Sequence, residues 1–253
     1  YENPGNGTGV WMEHTWPFIQ VPKASYGRST RSWITDIDGD GVLDIVYSHC
    51  DTGWGHVYWV KNMGKGVAWK LIPLPDPPVR RGDVKGTGSF HSLGVADFNQ
   101  DGYPDIFAGE QEDPDTYMEE DGLLAMKPAD LMERGVIWYN SGGSNPRFTP
   151  LVIQLDNPGW HDAQLGDVDG DGDADALSAS VDDDTVAWYE NDGNQNFTEI
   201  VINNNADAAR FVYAMDFEGD GDIDILQSHC VISVARLDND RRVGQRRLGS
   251  AQH

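Results

Sequence analysis

One nine-residue pattern, D-x-[DNE]-x-D-G-x-x-D, occurs four times in this 253-residue chain. The copies are DIDGDGVLD (Asp36 to Asp44), DFNQDGYPD (Asp97 to Asp105), DVDGDGDAD (Asp167 to Asp175) and DFEGDGDID (Asp216 to Asp224). They start 61, 70 and 49 residues apart. A pattern that returns at this spacing restricts the chain to architectures that stack one supersecondary unit after another.

The spacing of the acids has a chemical meaning. Carboxylates at alternate positions of a tight loop converge on one point, and Ca²⁺ takes six to eight hard oxygens in a flexible shell. The residues at positions 1, 3, 5 and 9 are therefore the candidate ligands. In the first string these are Asp36, Asp38, Asp40 and Asp44, and in the second Asp97, Asn99, Asp101 and Asp105. In the third they are Asp167, Asp169, Asp171 and Asp175, and in the fourth Asp216, Glu218, Asp220 and Asp224. A glycine at position 6 (Gly41, Gly102, Gly172, Gly221) permits the sharp turn, because it takes positive φ without a Cβ clash. Four carboxylates this close repel one another unless a cation sits among them. The expectation is up to four structural Ca²⁺ sites; the competing reading is a set of solvated acidic loops.

The loops are not EF-hands. Position 12 is Tyr47, Ala108, Ser178 or Gln227, where an EF-hand needs a bidentate Glu. Short β-prone runs (DIVYS, DIFAG, DALSAS, DILQS) follow instead of helices. A second signature then recurs: YWVKN (Tyr58 to Asn62), IWYN (Ile137 to Asn140) and AWYEND (Ala187 to Asp192). The opening YENPG repeats its end, and ARLDND (Ala235 to Asp240) is an eroded copy. A Gly- and Asn-rich turn follows the first four, and then an aromatic in a β-prone run: Trp11, Trp69, Phe148 or Phe197. The unit reads strand, acidic loop, strand, loop, Trp strand, turn, aromatic strand. Four antiparallel strands per unit make a propeller blade. The longest insertion, Glu112 to Arg134, falls between the second and third strands of its blade, and Trp59, Trp138 and Trp188 read as blade core.

DVDGDGDADALSAS followed by VAWYEND resembles the VCBS/FG-GAP repeat family, the integrin-like calcium propeller. The likeness extends over residues 1–240. It implies an all-β fold of four-stranded blades, a seven-bladed ring, structural Ca²⁺ in each loop and a secreted or cell-surface setting. Seven blades of ~50–60 residues do not fit in 253, so the expectation is a partial propeller of four to five repeats, with further blades or domains in a longer chain. Residues 241–253 (RRVGQRRLGSAQH) are basic and lack a β pattern, which reads as a disordered tail.

Charge narrows the partners. With 42 Asp+Glu against 18 Lys+Arg, the formal net charge is −24, which disfavours nucleic acid. No apolar run reaches 18 residues, so no membrane-spanning helix is expected. Cys50 and Cys230 both follow Ser-His and read as buried free thiols.

Aligned on the strings, the repeats place a second set of residues at the ends of the strands away from the loops. Thr30, His91, His161 and Arg210 stand six residues before each string, and His49, Glu110, Ser180 and His229 thirteen after its first Asp. Arg31, Trp160 and Asp162 sit beside them, and the loop between strands adds Trp54 and His56. This rim is the candidate ligand site: Trp54 and Trp160 for stacking on a sugar, with His49, Glu110 and His229 around them. The partner would be a polysaccharide or an extracellular protein, unless these residues only hold the blades together or the module is a scaffold. An alternative is a polysaccharide lyase that cleaves uronate polymers by β-elimination. There Arg31 or Arg210 would neutralise the carboxylate and His91 or His161 would accept the proton.

Overall fold

The structure is a computed structural model that describes residues 28–50, 55–77 apart from 65 and 67, 89–111, 116–118, 124–126, 132–155, 159–228 and 234–237. These residues form strands and no helix. The first sheet contains β1 (Arg28–Thr35), β2 (Asp44–Cys50), β3 (Val57–Asn62) and β4 (Trp69–Pro73) in that spatial order. The second contains β5 (Phe90–Ala96), β6 (Asp105–Glu110), β9 (Arg134–Asn140) and β10 (Phe148–Leu155). Between β6 and β9, the insertion carries a two-stranded hairpin of β7 (Thr116–Met118) and β8 (Leu124–Met126). The third sheet contains β11 (Trp160–Gly166), β12 (Asp175–Ser180), β13 (Val186–Asn191) and β14 (Phe197–Asn203). The fourth has, among the described residues, β15 (Phe211–Met215), β16 (Asp224–Ser228) and β17 (Val234–Leu237).

Each sheet is an antiparallel meander, and its first strand packs against the first strands of the neighbouring sheets: β1 on β5, β5 on β11, β11 on β15. Sheets joined side by side through their first strands are blades of a partial β-propeller. The hydrophobic core lies between the blades. Ile37, Val46 and Trp59 of the first meet Phe90, Ile106 and Trp138 of the second. Phe107 and Ile137 of the second meet Trp160, Ala176 and Tyr189 of the third, and Leu177 and Val186 of the third meet Val212 and Ile225 of the fourth.

The Trp signature hides a register difference. Trp59 lies opposite Val46 and Trp188 opposite Leu177, both two residues past the ninth position of their string. Trp138 lies opposite Ile106, only one residue past Asp105. A shift of one residue turns a strand side chain to the other face. Trp138 therefore faces back toward the first blade and shares a cluster with Trp59, while Ile137 takes the place that Trp59 and Trp188 hold. All three remain core residues, with Trp188 partly buried. Cys50 is buried, whereas Cys230, Trp11 and the 241–253 tail lie outside the described residues.

Candidate functional sites

The acidic loops connect first to second strands, and their shape is set by the first aspartate. Asp36 accepts the N–H groups of Asp40 (3.1 Å) and Gly41 (2.8 Å). Asp97 does the same for Asp101 and Gly102, Asp167 for Gly170 and Gly172, and Asp216 for Gly219, Asp220 and Gly221. The fifth residue closes a smaller turn on the seventh: Asp40 accepts from Val42, Asp101 from Tyr103, Asp171 from Asp173 and Asp220 from Asp222. Position 6 has positive φ in every loop, as its glycine implies. Position 4 has positive φ as well, at Gly39, Gln100, Gly170 and Gly219.

The ninth aspartate is the buried anchor. Asp44 accepts from Ile37 N–H, Trp59 Nε1–H (2.8 Å) and Asn62 N–H (2.7 Å). Asp105 accepts from Phe98 and Asn140, Asp175 from Val168 and Asn191, and Asp224 from Phe217. Burial raises the Asp105 carboxyl to about 7 and the Asp175 carboxyl to about 6, against these hydrogen bonds. The ninth residue thus ties the loop's second residue to the end of the third strand, a role the loop spacing alone does not disclose.

Two loops bring three carboxylates to one point. One oxygen each from Asp36, Asp38 and Asp40 lie within 4.8 Å of one another, as do those of Asp167, Asp169 and Asp175. Such clusters could hold a metal ion. In the first loop Asp38 is 3% exposed and its Oδ1 has no hydrogen-bond partner. Leaving a buried carboxylate oxygen unpaired is costly. The set of hard oxygens and the orphaned atom both fit a Ca²⁺-type cation.

The rim at the other end of the blades is built on β-bulges. On β5, Phe90 pairs with Glu110 and Ser92 with Gly109, which leaves His91 as the extra residue. On β11, Trp160 pairs with Ser180 and Asp162 with Ala179, which leaves His161. On β1 the register breaks between Ser29 and Ser32, around Thr30 and Arg31. A bulge re-aims the side chain that it carries. The His91 and His161 rings come to 5.7 Å between centroids, and the Arg31 guanidinium pairs with the Asp162 carboxylate two blades away. Asp162 also accepts from Val212 N–H.

Arg210 completes the cluster. Its backbone carbonyl lies 3.0 Å from His161 Nδ1, and its guanidinium Nη1 lies 3.2 Å from His161 Nε2. A carbonyl only accepts, so Nδ1 carries the proton and Nε2 presents its lone pair to the guanidinium. Burial, with the nearby His91, Arg210 and Arg31 charges, lowers the His161 pKa and keeps the ring neutral. Phe211 sets its ring edge-on to His161 at 6.2 Å.

Three of the five residues expected to contact a ligand, Trp160, Glu110 and His49, do not face solvent. Trp160 is 0% exposed, stacked on Tyr189 at 4.7 Å and tilted on Phe107 at 5.2 Å. Its place opposite Gly109 and Gly135 explains this: a Cβ on either glycine would come within 2.5 or 2.6 Å of the indole side chain. Trp160, expected from the sequence to stack on a sugar, is here a wedge between blades. Glu110 is fully buried and holds Arg134 through Nε (2.8 Å), Nη2 (2.6 Å) and the backbone N–H (3.0 Å). His49 is buried against Tyr47 and Tyr58, and burial lowers its pKa to about 4. Both side chains are buried in these contacts. Trp54 and His229 lie outside the described residues.

The exposed aromatics are elsewhere. Phe211 and Tyr213, on alternate positions of β15, are 55% and 51% exposed beside the histidine–arginine cluster. At the matching places β5 has Ser92 and Gly94, β11 has Asp162 and Gln164, and β1 has Arg31 and the exposed Trp33, so the pair of aromatics is found on the fourth blade and a single one on the first.

Comparison with protein families identifies the repeats: the FG-GAP-like repeat family matches residues 36–108 and 167–226, more than half of the chain. The chain belongs to the FG-GAP-like repeat family. No curated protein matches it. The matched spans hold all four acidic loops of the propeller, and none of the described residues forms a helix able to cross a membrane.

Proposed function

We propose that this FG-GAP repeat chain is a secreted or cell-surface module whose blades are stabilised by Ca²⁺ and whose opposite rim binds an acidic glycan. The observation that carries the ligand reading is the repeated bulge. The same irregularity, at the same point of three adjacent first strands, gathers Arg31, His91 and His161 at one place, with Arg210 and two exposed aromatics beside them. Guanidinium groups pair with carboxylates in a bidentate fork, and aromatic faces stack on sugar rings. This gives a chain of net charge −24 a local place for an anion.

The calcium reading rests on the orphaned Asp38 Oδ1 and on the convergent oxygens of Asp36, Asp38 and Asp40 and of Asp167, Asp169 and Asp175. Asp97, Asn99, Asp101 and Asp105, and Asp216, Glu218, Asp220 and Asp224, would serve the other two loops. A cation bound only by the folded state adds stability, about 2.7 kcal/mol when it is present at 100 times its Kd. Excess chelator should lower the melting temperature and added Ca²⁺ restore it. An unchanged melting curve would remove calcium from the proposal. For the ligand, retention on immobilised acidic polysaccharides is expected, with loss in R31A/R210A; equal retention on neutral polymers would sink the anionic assignment.

A second reading, lyase activity, is favoured by the His161–Arg210 contact. A uronate carboxylate that drew the Arg210 guanidinium to itself would uncover the Nε2 lone pair of a neutral imidazole, which could then accept the C5 proton as the C4–O bond breaks. The unsaturated product absorbs in the ultraviolet, so incubation with uronate polymers separates the two readings. Absorbance growth that is lost in H161A means catalysis; retention without product means binding alone.

A further inference from the structure

We infer that Lys61 is an internal counter-cation of the first acidic loop, which competes with a divalent ion there and makes this loop the weaker of the two convergent sites. The inference rests on the calcium reading of the loops.

Among the described residues the geometry is specific to the first blade. The Lys61 ammonium pairs with Asp38 Oδ2, lies 3.9 Å from Asp40 Oδ2 and donates to the Ser144 carbonyl of the next blade at 3.3 Å. Nζ stands 5.5 Å from the Trp59 ring centroid, and the Lys61 side chain is 16% exposed. Asp38 thus has one oxygen on an ammonium and the other unpaired. The same place along the third strand, one residue before the conserved-in-repeat asparagine, is Tyr139 in the second blade and Glu190 in the third. Neither can supply a positive charge.

The consequence follows from charge. The third loop has acids at positions 1, 3, 5, 7 and 9 and Glu190 at the register place of Lys61. The first loop has Val42 at position 7 and a cation in contact with two of its ligands. A divalent ion that enters the first loop must share Asp38 with the ammonium or displace it, and like charges a few ångströms apart repel. Displacement would also release the Ser144 carbonyl, so occupancy of the first loop is linked to the turn that joins β9 to β10.

The test is a Ca²⁺ titration of the chelator-treated full chain by calorimetry, with Tb³⁺ luminescence as a second readout. Trp59 donates to Asp44, so its indole stands beside the first loop and sensitises an ion there. K61M should tighten the first-loop phase roughly tenfold, while it lowers the stability of the ion-free chain. K61R, which keeps the charge, should stay within about twofold of wild type. K61Q, which keeps much of the stem, serves the same comparison if K61M does not fold. Ion binding in K61M or K61Q that is unchanged or weaker than in wild type would overturn the inference and leave the calcium reading standing. Absence of Ca²⁺ and Tb³⁺ binding in wild type would overturn both.

Discussion

The side-chain amide of Asn140 donates to two carbonyls at once, Pro104 in its own blade at 3.0 Å and Ile37 in the preceding blade at 2.8 Å. Asn191 repeats the arrangement with Ala174 (3.1 Å) and Phe98 (2.9 Å). Ile37 and Phe98 are second residues of acidic loops, the same residues whose N–H groups are held by Asp44 and Asp105. Asn140 and Asn191, at the ends of their third strands, are thus inter-blade staples that grip the neighbouring loop, whereas Asn62 donates to Leu43 of its own blade. N140D turns a two-proton donor into an acceptor against two carbonyls and should cost about 1–3 kcal/mol by chemical denaturation. N140A should fall in the same range. A loss confined to the second blade, with the first loop unaffected in Ca²⁺ titration, would show that the staple does not couple the two.

A pair of buried charges makes the second prediction. Glu110 and Arg134 are both at most 2% exposed and share three hydrogen bonds. Removing one partner breaks a buried ion pair and its three hydrogen bonds, so R134A should cost about 3–5 kcal/mol, as should E110A. The double variant E110L/R134M should recover most of the loss, because an apolar pair of similar volume is often neutral in such a site. A double variant no more stable than either single would show that the pair is held by more than mutual charge.

His49 gives the chain a pH dependence with a defined sign. Burial lowers its pKa from 6.5 to about 4. Between these values the unfolded chain binds a proton that the folded chain refuses, so the His49 contribution is present above pH 6.5 and is lost as pH falls toward 4. Its ceiling is about 3 kcal/mol. Asp105 and Asp175, raised to about 7 and about 6, slope the other way in this window. The difference between wild type and H49Q isolates the histidine: their stability gap should narrow as pH is lowered from 7 to 4. A gap that stays constant would show that the ring titrates alike in both states.

What the sequence disclosed and what it hid divide by distance along the chain. The acidic loops were legible because position 1, its N–H donors and the turn glycine all lie within nine residues, and the four-strand order was legible because each blade is a local meander. The register of Trp138 was not, since IWYN and YWVKN share letters but differ by one residue between Trp and Asn, and only pairing with β6 shows which face results. The burial of Trp160 depends on Gly109 and Gly135 in another blade. The staple from Asn140 reaches back 103 residues. Phe211 and Tyr213 read as ordinary strand residues, because nothing local marks which side of β15 the next blade would cover.

That last distinction yields a prediction in which stability and binding separate. Trp160 fills a slot cut by two glycines, so W160A should lose about 3–5 kcal/mol. Phe211 and Tyr213 are more than half exposed, so F211S and Y213S should change stability by no more than about 0.5 kcal/mol. If the rim stacks a sugar beside Arg210, these two variants should weaken retention on acidic polysaccharides roughly fivefold to tenfold. R31A/R210A should weaken it further by removing the charge. The opposite outcome, retention intact in F211S/Y213S but lost in a W160F variant that melts like wild type, would return the stacking role to Trp160 and require the blades to part there. Two glycines packed directly on the indole argue against such parting, since the slot has no slack through which a ring could emerge without separating β6 and β9 from β11.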